Sequence, residues 1–126
     1  MTGSVTVVGL GAMGGAMAAH LVDAGWSVRG YDPGPAPRDR AAAHGVQVTA
    51  DPAAAVGDSD FVLVMTTVGP EAVRATAARL DAGVADAPVS GGTRRARSGD
   101  LIVMASGDPA VAVSYTHLTL PTILRV

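Results

Sequence analysis

The residues best placed to do chemistry are three glycines, Gly9, Gly11 and Gly14, in the spacing G-x-G-x-x-G. An apolar, β-branched run at 5–8 precedes them, and an alanine-rich stretch from Met13 to Ala24 follows, so strand, turn and helix are predicted in that order. The first glycine permits the turn, the second admits a pyrophosphate close to the backbone, and the third allows tight helix–strand packing. Free N–H groups at the helix start then face the phosphate oxygens. The predicted dinucleotide-binding residues of this turn are Gly9, Leu10, Gly11, Ala12, Met13 and Gly14.

A carboxylate that could select the dinucleotide lies at Asp32, eighteen positions after Gly14 and directly after a predicted strand at 26–31. A carboxylate in this place accepts hydrogen bonds from the ribose 2′-OH and repels a 2′-phosphate, so it favours NAD over NADP. The alternative is a turn aspartate, because residues 33–35 (Pro-Gly-Pro) predict a loop. Arg38 and Arg40 are near enough in sequence to reach a 2′-phosphate, which leaves NADP open.

Composition limits the other classes of function. The chain has 126 residues, 48% of them hydrophobic, and a formal net charge of −2, which indicates one modest globular domain without attraction to nucleic acid or to an anionic membrane. It has no cysteine, and its three histidines are scattered, so no metal site is predicted. No basic residue precedes the apolar stretch at 5–22, so we interpret it as a buried strand and helix rather than a secretory signal, and we expect a cytoplasmic protein.

Strand and helix patterns alternate along the chain, which predicts an α/β fold of the Rossmann type, a doubly wound parallel sheet with helices on both faces. Asp51 is the predicted N-cap of a short helix, and Gly25 and Gly45 are predicted to end two earlier helices. Strands are predicted at 5–8, 26–31, 46–48, 61–65 and 101–105, and helices at 13–24, 38–44, from 52 onward, and at about 70–80.

Three sequence blocks resemble the β-hydroxyacid dehydrogenase family: GLGAMGGAMAAHLVDAG, TTVGP, and DAPVSGG followed by SGDLIVMASG. This family includes 3-hydroxyisobutyrate dehydrogenase and tartronate semialdehyde reductase and is related to 6-phosphogluconate dehydrogenase. The DAPVSGG block is the most specific of the three, and the resemblance extends from Val5 to about Pro109. It implies a homo-oligomeric, NAD(P)-dependent parent enzyme that moves a hydride between nicotinamide and a small 3-hydroxy acid or semialdehyde.

The resemblance also implies roles for single residues. Met65 would line the cofactor cleft, and Thr67 matches the Ser or Thr that the family places beside the nicotinamide. The residues that match the family's loop for the substrate carboxylate are Ser90, Gly91 and Gly92. A hydroxyl and glycine N–H groups make a small anion pocket, which suits a carboxylate.

The chain departs from the family in two places that bear on activity. The family has a further helix and strand between the strand at 61–65 and the Thr-Thr element, whereas here Met65 runs directly into Thr66, so we expect an internally shortened sheet. The family also has an all-α domain with a lysine that serves as general acid/base, and this chain contains no lysine. Since such a group contributes about 10²–10⁴-fold in rate, we expect the chain as written to be close to inactive. The alternative is a non-catalytic NAD(P)-binding module.

The domain organisation expected from these observations is an NAD(P)-binding domain at 1–109, shortened near 65–66, and a tail at 110–126. The sequence SYTHLTLPT at 114–122 matches nothing in the family and resembles the translation of a transposon adapter used in preparing sequencing libraries. We therefore expect the residues from about 114 onward to be an artefact of an unfinished gene.

Overall fold

The computed structural model of the chain describes residues 3–57 and 59–65, together with 85–86, 89–90, 94, 97–98, 102–103 and 106–107. The larger part alternates strands and helices, as the sequence predicts. Its elements are β1 (Ser4–Val8), α1 (Ala12–Asp23), β2 (Ser27–Tyr31), α2 (Pro35–Ala43), β3 (Gln47–Thr49), α3 (Pro52–Val56) and β4 (Phe61–Val64). Four two-residue strands follow: β5 (Ala85–Asp86), β6 (Val89–Ser90), β7 (Ile102–Val103) and β8 (Ser106–Gly107).

The main sheet has four parallel strands in the order β3-β2-β1-β4. Strand β1 lies in the interior of this sheet, and Val5, Thr6 and Val7 are all 0% exposed. Burial on both faces explains why this strand is apolar almost without interruption. The order 3-2-1-4 is that of a Rossmann-type sheet, which confirms the predicted fold class.

Helix α1 covers this sheet with an apolar stripe. Met17, Ala18 and Leu21 are 0% exposed and belong to one core cluster with the valines of β1. Met13 and Val22 are partly buried against the same cluster, so the large side chains, spaced three and four residues apart, form one buried face.

The first two helices end at glycines, as predicted. Gly25 has φ +92°, its N–H donates to the Val22 carbonyl at 3.0 Å, and the Trp26 N–H donates to the Leu21 carbonyl at 3.0 Å. This pair of bonds is a Schellman motif, which requires the left-handed conformation that glycine adopts without strain. Gly45, with φ +99°, ends α2 in the same way.

The start of α2 differs from the sequence-based expectation. The loop predicted over 33–35 is wrong at Pro35, because α2 begins there, three residues before the predicted start at Arg38. A proline suits the first helical turn, where its missing N–H would have no partner and its φ is already helical. The N-cap predicted at Asp51 is confirmed, since its Oδ1 accepts from the Ala53 N–H at 3.1 Å.

The short strands after residue 84 pair differently from the main sheet. β5 pairs with β8 and β6 with β7, and both pairs are antiparallel, whereas the strand predicted at 101–105 was expected to join the parallel sheet. The described part of the strand predicted at 101–105 is Ile102–Val103. This part of the chain contacts α1 through the His20 side chain, whose Nε2 lies 2.8 Å from the Arg97 carbonyl oxygen.

Some sequence-based predictions fall outside the described residues, including Thr66, Thr67 and the helix at 70–80. Within the ranges that the structure describes, no helix is long and apolar enough to cross a membrane. The same ranges contain no cluster of three or more His, Cys, Asp or Glu side chains arranged for a metal ion.

Candidate functional site

The glycine turn joins β1 to α1 at the carboxyl edge of the parallel sheet. Gly9 has φ +98°, a conformation that residues with a Cβ rarely adopt, and its N–H donates to the Tyr31 carbonyl at 2.8 Å. On the other side of β1, the Met65 N–H donates to the Val8 carbonyl at 2.7 Å. The turn is therefore fixed to the ends of both neighbouring strands, where open α/β sheets hold their ligands.

The third glycine of the motif is required by packing. A Cβ built on Gly14 would overlap the Gly9 carbonyl oxygen and would lie 3.2 Å from the Met65 Cβ. Helix α1 therefore approaches the end of β1 more closely than any side chain at this position would allow. Met65 lies beside this contact, next to the turn.

The second glycine faces open space instead. A Cβ built on Gly11 would meet no heavy atom within 4 Å, and Gly11 is exposed at the N-cap of α1 with φ −67°. No side chain caps this helix, and the Gly15 N–H donates to the Gly11 carbonyl at 2.8 Å. The N–H groups that precede Gly15 in the first turn have no acceptor further back in the helix. These free N–H groups and the space in front of them suit a phosphate group.

Asp32 lies beside this turn, as its position after β2 predicts. Its Oδ2 accepts from the Leu10 N–H at 2.9 Å, and its Oδ1 accepts from the Gly34 N–H at 2.8 Å. A carboxylate offers about four acceptor sites, so two remain for hydroxyl groups of a ligand. The Asp32 side chain is thus close to the turn and can still accept hydrogen bonds.

Arg38, in the first turns of α2, lies against the backbone at Asp32. Its Nη1 donates to the Asp32 carbonyl at 2.8 Å and to the Pro33 carbonyl at 3.1 Å. Arg40 is exposed in the last turn of the same helix. The structure therefore brings Arg38 to the end of β2, with Nη1 already bonded to two carbonyl oxygens.

Of the two bonds to the Asp32 carboxylate, the one from Gly34 matches the turn aspartate offered as the alternative, and the one from Leu10 was not predicted. The Leu10 side chain is 2% exposed and packs over Gly30, where a Cβ would lie 2.9 Å from the Leu10 Cδ1. Because the Leu10 side chain is buried, only the Leu10 backbone contributes to the turn, and the Leu10 N–H donates to Asp32. The Asp-Pro-Gly sequence at 32–34 is a known signature of an Asx turn, so the bond from the Gly34 N–H was detectable in advance. Nothing in the sequence signals the bond between residues 10 and 32.

The predicted substrate residues are only partly covered by the structure. Ser90 lies in β6, where its backbone pairs with Ile102. Thr67, Gly91 and Gly92 lie outside the described residues. The described residues thus bring together the glycine turn, Asp32 and Met65, while the roles of the others stay predictions.

Comparison with known proteins identifies the domain. The sequence model of the NAD-binding domain of 6-phosphogluconate dehydrogenase matches this chain in two overlapping segments, 4–85 and 66–119. The "Probable 3-hydroxyisobutyrate dehydrogenase" of Mycobacterium bovis is 36% identical over 136 aligned positions, which cover 83% of this chain and 46% of that protein. The L-threonate dehydrogenase of Cupriavidus necator is 33% identical over 156 aligned positions, which cover 98% of this chain and 52% of that protein.

A solved structure agrees with these matches. The 3-hydroxyisobutyrate dehydrogenase of Mycobacterium tuberculosis, determined with L-serine, superimposes with a TM-score of 0.85 and 31% sequence identity over 96% of this chain and 52% of that one. The chain spans about half the length of the curated relatives it matches. We conclude that the chain belongs to the β-hydroxyacid dehydrogenase family, and that its Rossmann-type sheet is part of an NAD(P)-binding domain.

Proposed function

We propose that this chain is the cofactor-binding part of an NAD(P)-dependent oxidoreductase that acts on a small 3-hydroxy acid or semialdehyde. The observation that supports it best is the open space in front of Gly11, next to free N–H groups at the start of α1. The names of the relatives, 3-hydroxyisobutyrate and L-threonate dehydrogenases, support a hydroxy acid as the substrate class. When bound, the nicotinamide ring carries the hydride.

In this proposal, the residues of the glycine turn have different roles in binding the dinucleotide. Gly9 bends the chain, and the N–H groups of Gly11, Ala12, Met13 and Gly14 donate to the pyrophosphate. Met65 flanks the turn on the side of β4. The family resemblance supports a role for Thr67 beside the nicotinamide and a role for Ser90, Gly91 and Gly92 in binding the substrate carboxylate.

NAD is the preferred cofactor in this proposal. The Asp32 carboxylate lies at the end of β2, where it accepts from the ribose hydroxyls and repels a 2′-phosphate. Arg38 contacts the backbone at that position, but its Nη1 donates to the carbonyls of Asp32 and Pro33. An arginine held in this way has fewer N–H groups left to donate to a 2′-phosphate than an arginine without such bonds.

We further propose that the domain is shortened by one helix and one strand after Met65. The alignment to the Mycobacterium bovis relative has 136 positions but covers only about 105 residues of this chain, so roughly 30 positions have no counterpart here. The Cupriavidus alignment has a similar excess. A loss of this size corresponds to one helix, one strand and their connections. The overlap of the two matched segments at 66–85 supports the same interpretation.

The chain itself is expected to bind cofactor with little turnover, because it lacks the lysine that the family uses for proton transfer. A purely NAD(P)-binding module is the second candidate function, and this missing lysine favours it. The cytoplasmic location and the oligomeric state of the parent enzyme stay predictions.

The experiment is a calorimetric titration of the chain with NADH and with NADPH, followed by assays of cofactor reduction with 3-hydroxyisobutyrate and L-threonate. We expect saturable binding, with NADH bound about tenfold more tightly because like charges repel at Asp32. Binding without measurable turnover is the result that both candidates predict for this chain, whereas measurable turnover would exclude the second candidate. Absence of NADH and NADPH binding by the folded chain would contradict both candidates, and tighter binding of NADPH would contradict the role given to Asp32.

A further inference from the structure

The Asp32 carboxylate joins two segments that are far apart in sequence. Its Oδ2 accepts from the N–H of Leu10, inside the glycine turn, and its Oδ1 accepts from the N–H of Gly34, the N-cap of α2. We propose that Asp32 is a positioning residue for the phosphate-binding turn, so that it contributes to pyrophosphate binding independently of the ribose. The inference rests on the proposed function and adds a second role to a residue assigned there to cofactor selection.

The turn has a physical need for such an anchor. Leu10 lies between Gly9, in a left-handed conformation, and Gly11, which lies in front of open space. Glycines on both sides of Leu10 give the free backbone many conformations, and fixing them on binding would cost entropy. A charge-assisted bond to the N–H between them restricts the turn before the ligand arrives.

Asp32 itself is held firmly enough to act as this anchor. The Gly34 N–H holds its second carboxylate oxygen, and the Arg38 Nη1 donates to its carbonyl at 2.8 Å. Asp32 also follows directly after β2, which pairs with β1 along its whole length. The carboxylate therefore connects the start of α1 to β2 and to the start of α2.

Positioning and charge selection make opposite predictions for a ligand that lacks ribose hydroxyls. If Asp32 acts only on the ribose, its negative charge beside an anion site hinders such a ligand, and removing the charge leaves binding unchanged or tighter. If Asp32 positions the turn, removing its hydrogen bonds weakens binding, although electrostatic repulsion is relieved.

The test uses 2′,3′-dideoxyadenosine diphosphate, which has the diphosphate but neither hydroxyl, titrated calorimetrically into the wild-type chain and Asp32→Asn. The substitution turns one acceptor oxygen into an NH₂ group, so either Leu10 or Gly34 loses its acceptor. We expect binding to weaken about tenfold, the size of one hydrogen bond to a charged group. Unchanged or tighter binding would overturn the inference.

Asp39→Asn is the matched control, because Asp39 is exposed on α2 and the substitution removes the same charge. We expect it to leave binding of the dideoxy ligand unchanged; an equal loss there would show that the effect is not specific to the Asp32 hydrogen bonds and would overturn the inference.

Amide exchange in the ligand-free chain provides a measurement that does not depend on binding. We expect the Leu10 N–H of the wild-type chain to be protected and to exchange faster in Asp32→Asn, while Val5 and Val7 exchange as before. An unprotected Leu10 N–H in the wild-type chain would overturn the inference, even if Asp32→Asn failed to fold. If the wild-type chain bound neither NADH nor adenosine diphosphate, the proposed function would fall together with this inference. If NADH bound and the dideoxy ligand were unaffected in Asp32→Asn, only the inference would fall.

Discussion

Gly11 and Gly14 are three positions apart in one motif, yet the structure requires glycine at each for a different reason. A methyl group on Gly14 would overlap the Gly9 carbonyl oxygen, a backbone atom that cannot move aside easily. We therefore expect Gly14→Ala to lower the free energy of unfolding by about 3 kcal/mol or more, the upper range for overpacking. Urea denaturation followed by circular dichroism measures this loss.

Gly11→Ala tests the requirement for glycine at position 11, which concerns space for the ligand rather than packing. Its methyl group would enter open space at an ordinary φ of −67°, so we expect stability to change by no more than about 1 kcal/mol, the scale of an N-cap preference. Adenosine diphosphate should nevertheless bind about tenfold more weakly or worse, because the methyl group occupies the space proposed for the pyrophosphate. Equal losses of stability in the two variants would contradict the separation of roles.

Thr6 is a polar residue at 0% exposure in the middle of an apolar strand. Its Oγ1 lies 2.6 Å from the Ala55 carbonyl oxygen and 2.6 Å from the Ser59 Oγ. Since its single O–H donates to the carbonyl, the Ser59 hydroxyl must donate to Thr6. These bonds fasten the end of α3 to the sheet.

We predict that Thr6→Val lowers the free energy of unfolding by about 1–3 kcal/mol, because it leaves the Ala55 carbonyl without a partner. Thr6→Ser is the matched control, since it keeps the hydroxyl and removes one methyl group, at a cost of about 0.8 kcal/mol. Denaturant unfolding compares the two. A valine variant as stable as the serine variant would show that the buried hydroxyl is dispensable.

At the scale of the elements, the end of α1 offers a test of backbone conformation. Gly25 has φ +92° in the Schellman motif, and we expect Gly25→Ala to cost about 1–2 kcal/mol because of the left-handed penalty. Gly25→Asn should cost less, since asparagine tolerates this region better. Thermal unfolding measures both variants. If alanine and asparagine were equally tolerated, the motif would not depend on the conformation of this residue.

Most elements of the main sheet were predictable because each has a local cause. The β-branched run at 5–8 and the apolar run at 61–65 predict buried strands, and Gly25 and Gly45 predict helix ends. The antiparallel strands after residue 84 were not predictable, since their pairing depends on contacts distant in sequence. For the same reason, residue types and spacing predicted where Asp32 lies but not its bond to Leu10, which forms only when β1 and β2 pair.

At the scale of the whole molecule, cofactor binding and folding are coupled, since a ligand that binds only the folded chain stabilises it. At a free NADH concentration of 100 times the dissociation constant, the gain is about 2.7 kcal/mol. For a domain of this length that predicts a rise in Tm of about 10 °C. Tenfold weaker binding in Gly11→Ala lowers the gain to about 1.4 kcal/mol at the same NADH concentration, so the rise should be about half as large. Equal shifts in the two proteins would place the cofactor away from the glycine turn.

The central claim is that the N–H groups at the start of α1 hold the pyrophosphate of a dinucleotide, and titration of the ¹⁵N-labelled chain with NADH tests it most directly. We predict that the amide resonances of Gly11, Ala12, Met13 and Gly14 shift in a saturable way, with one common dissociation constant. In Gly11→Ala, the corresponding shifts should require about tenfold more NADH or be absent. Saturable binding that left these four amides of the wild-type chain unperturbed would contradict the account.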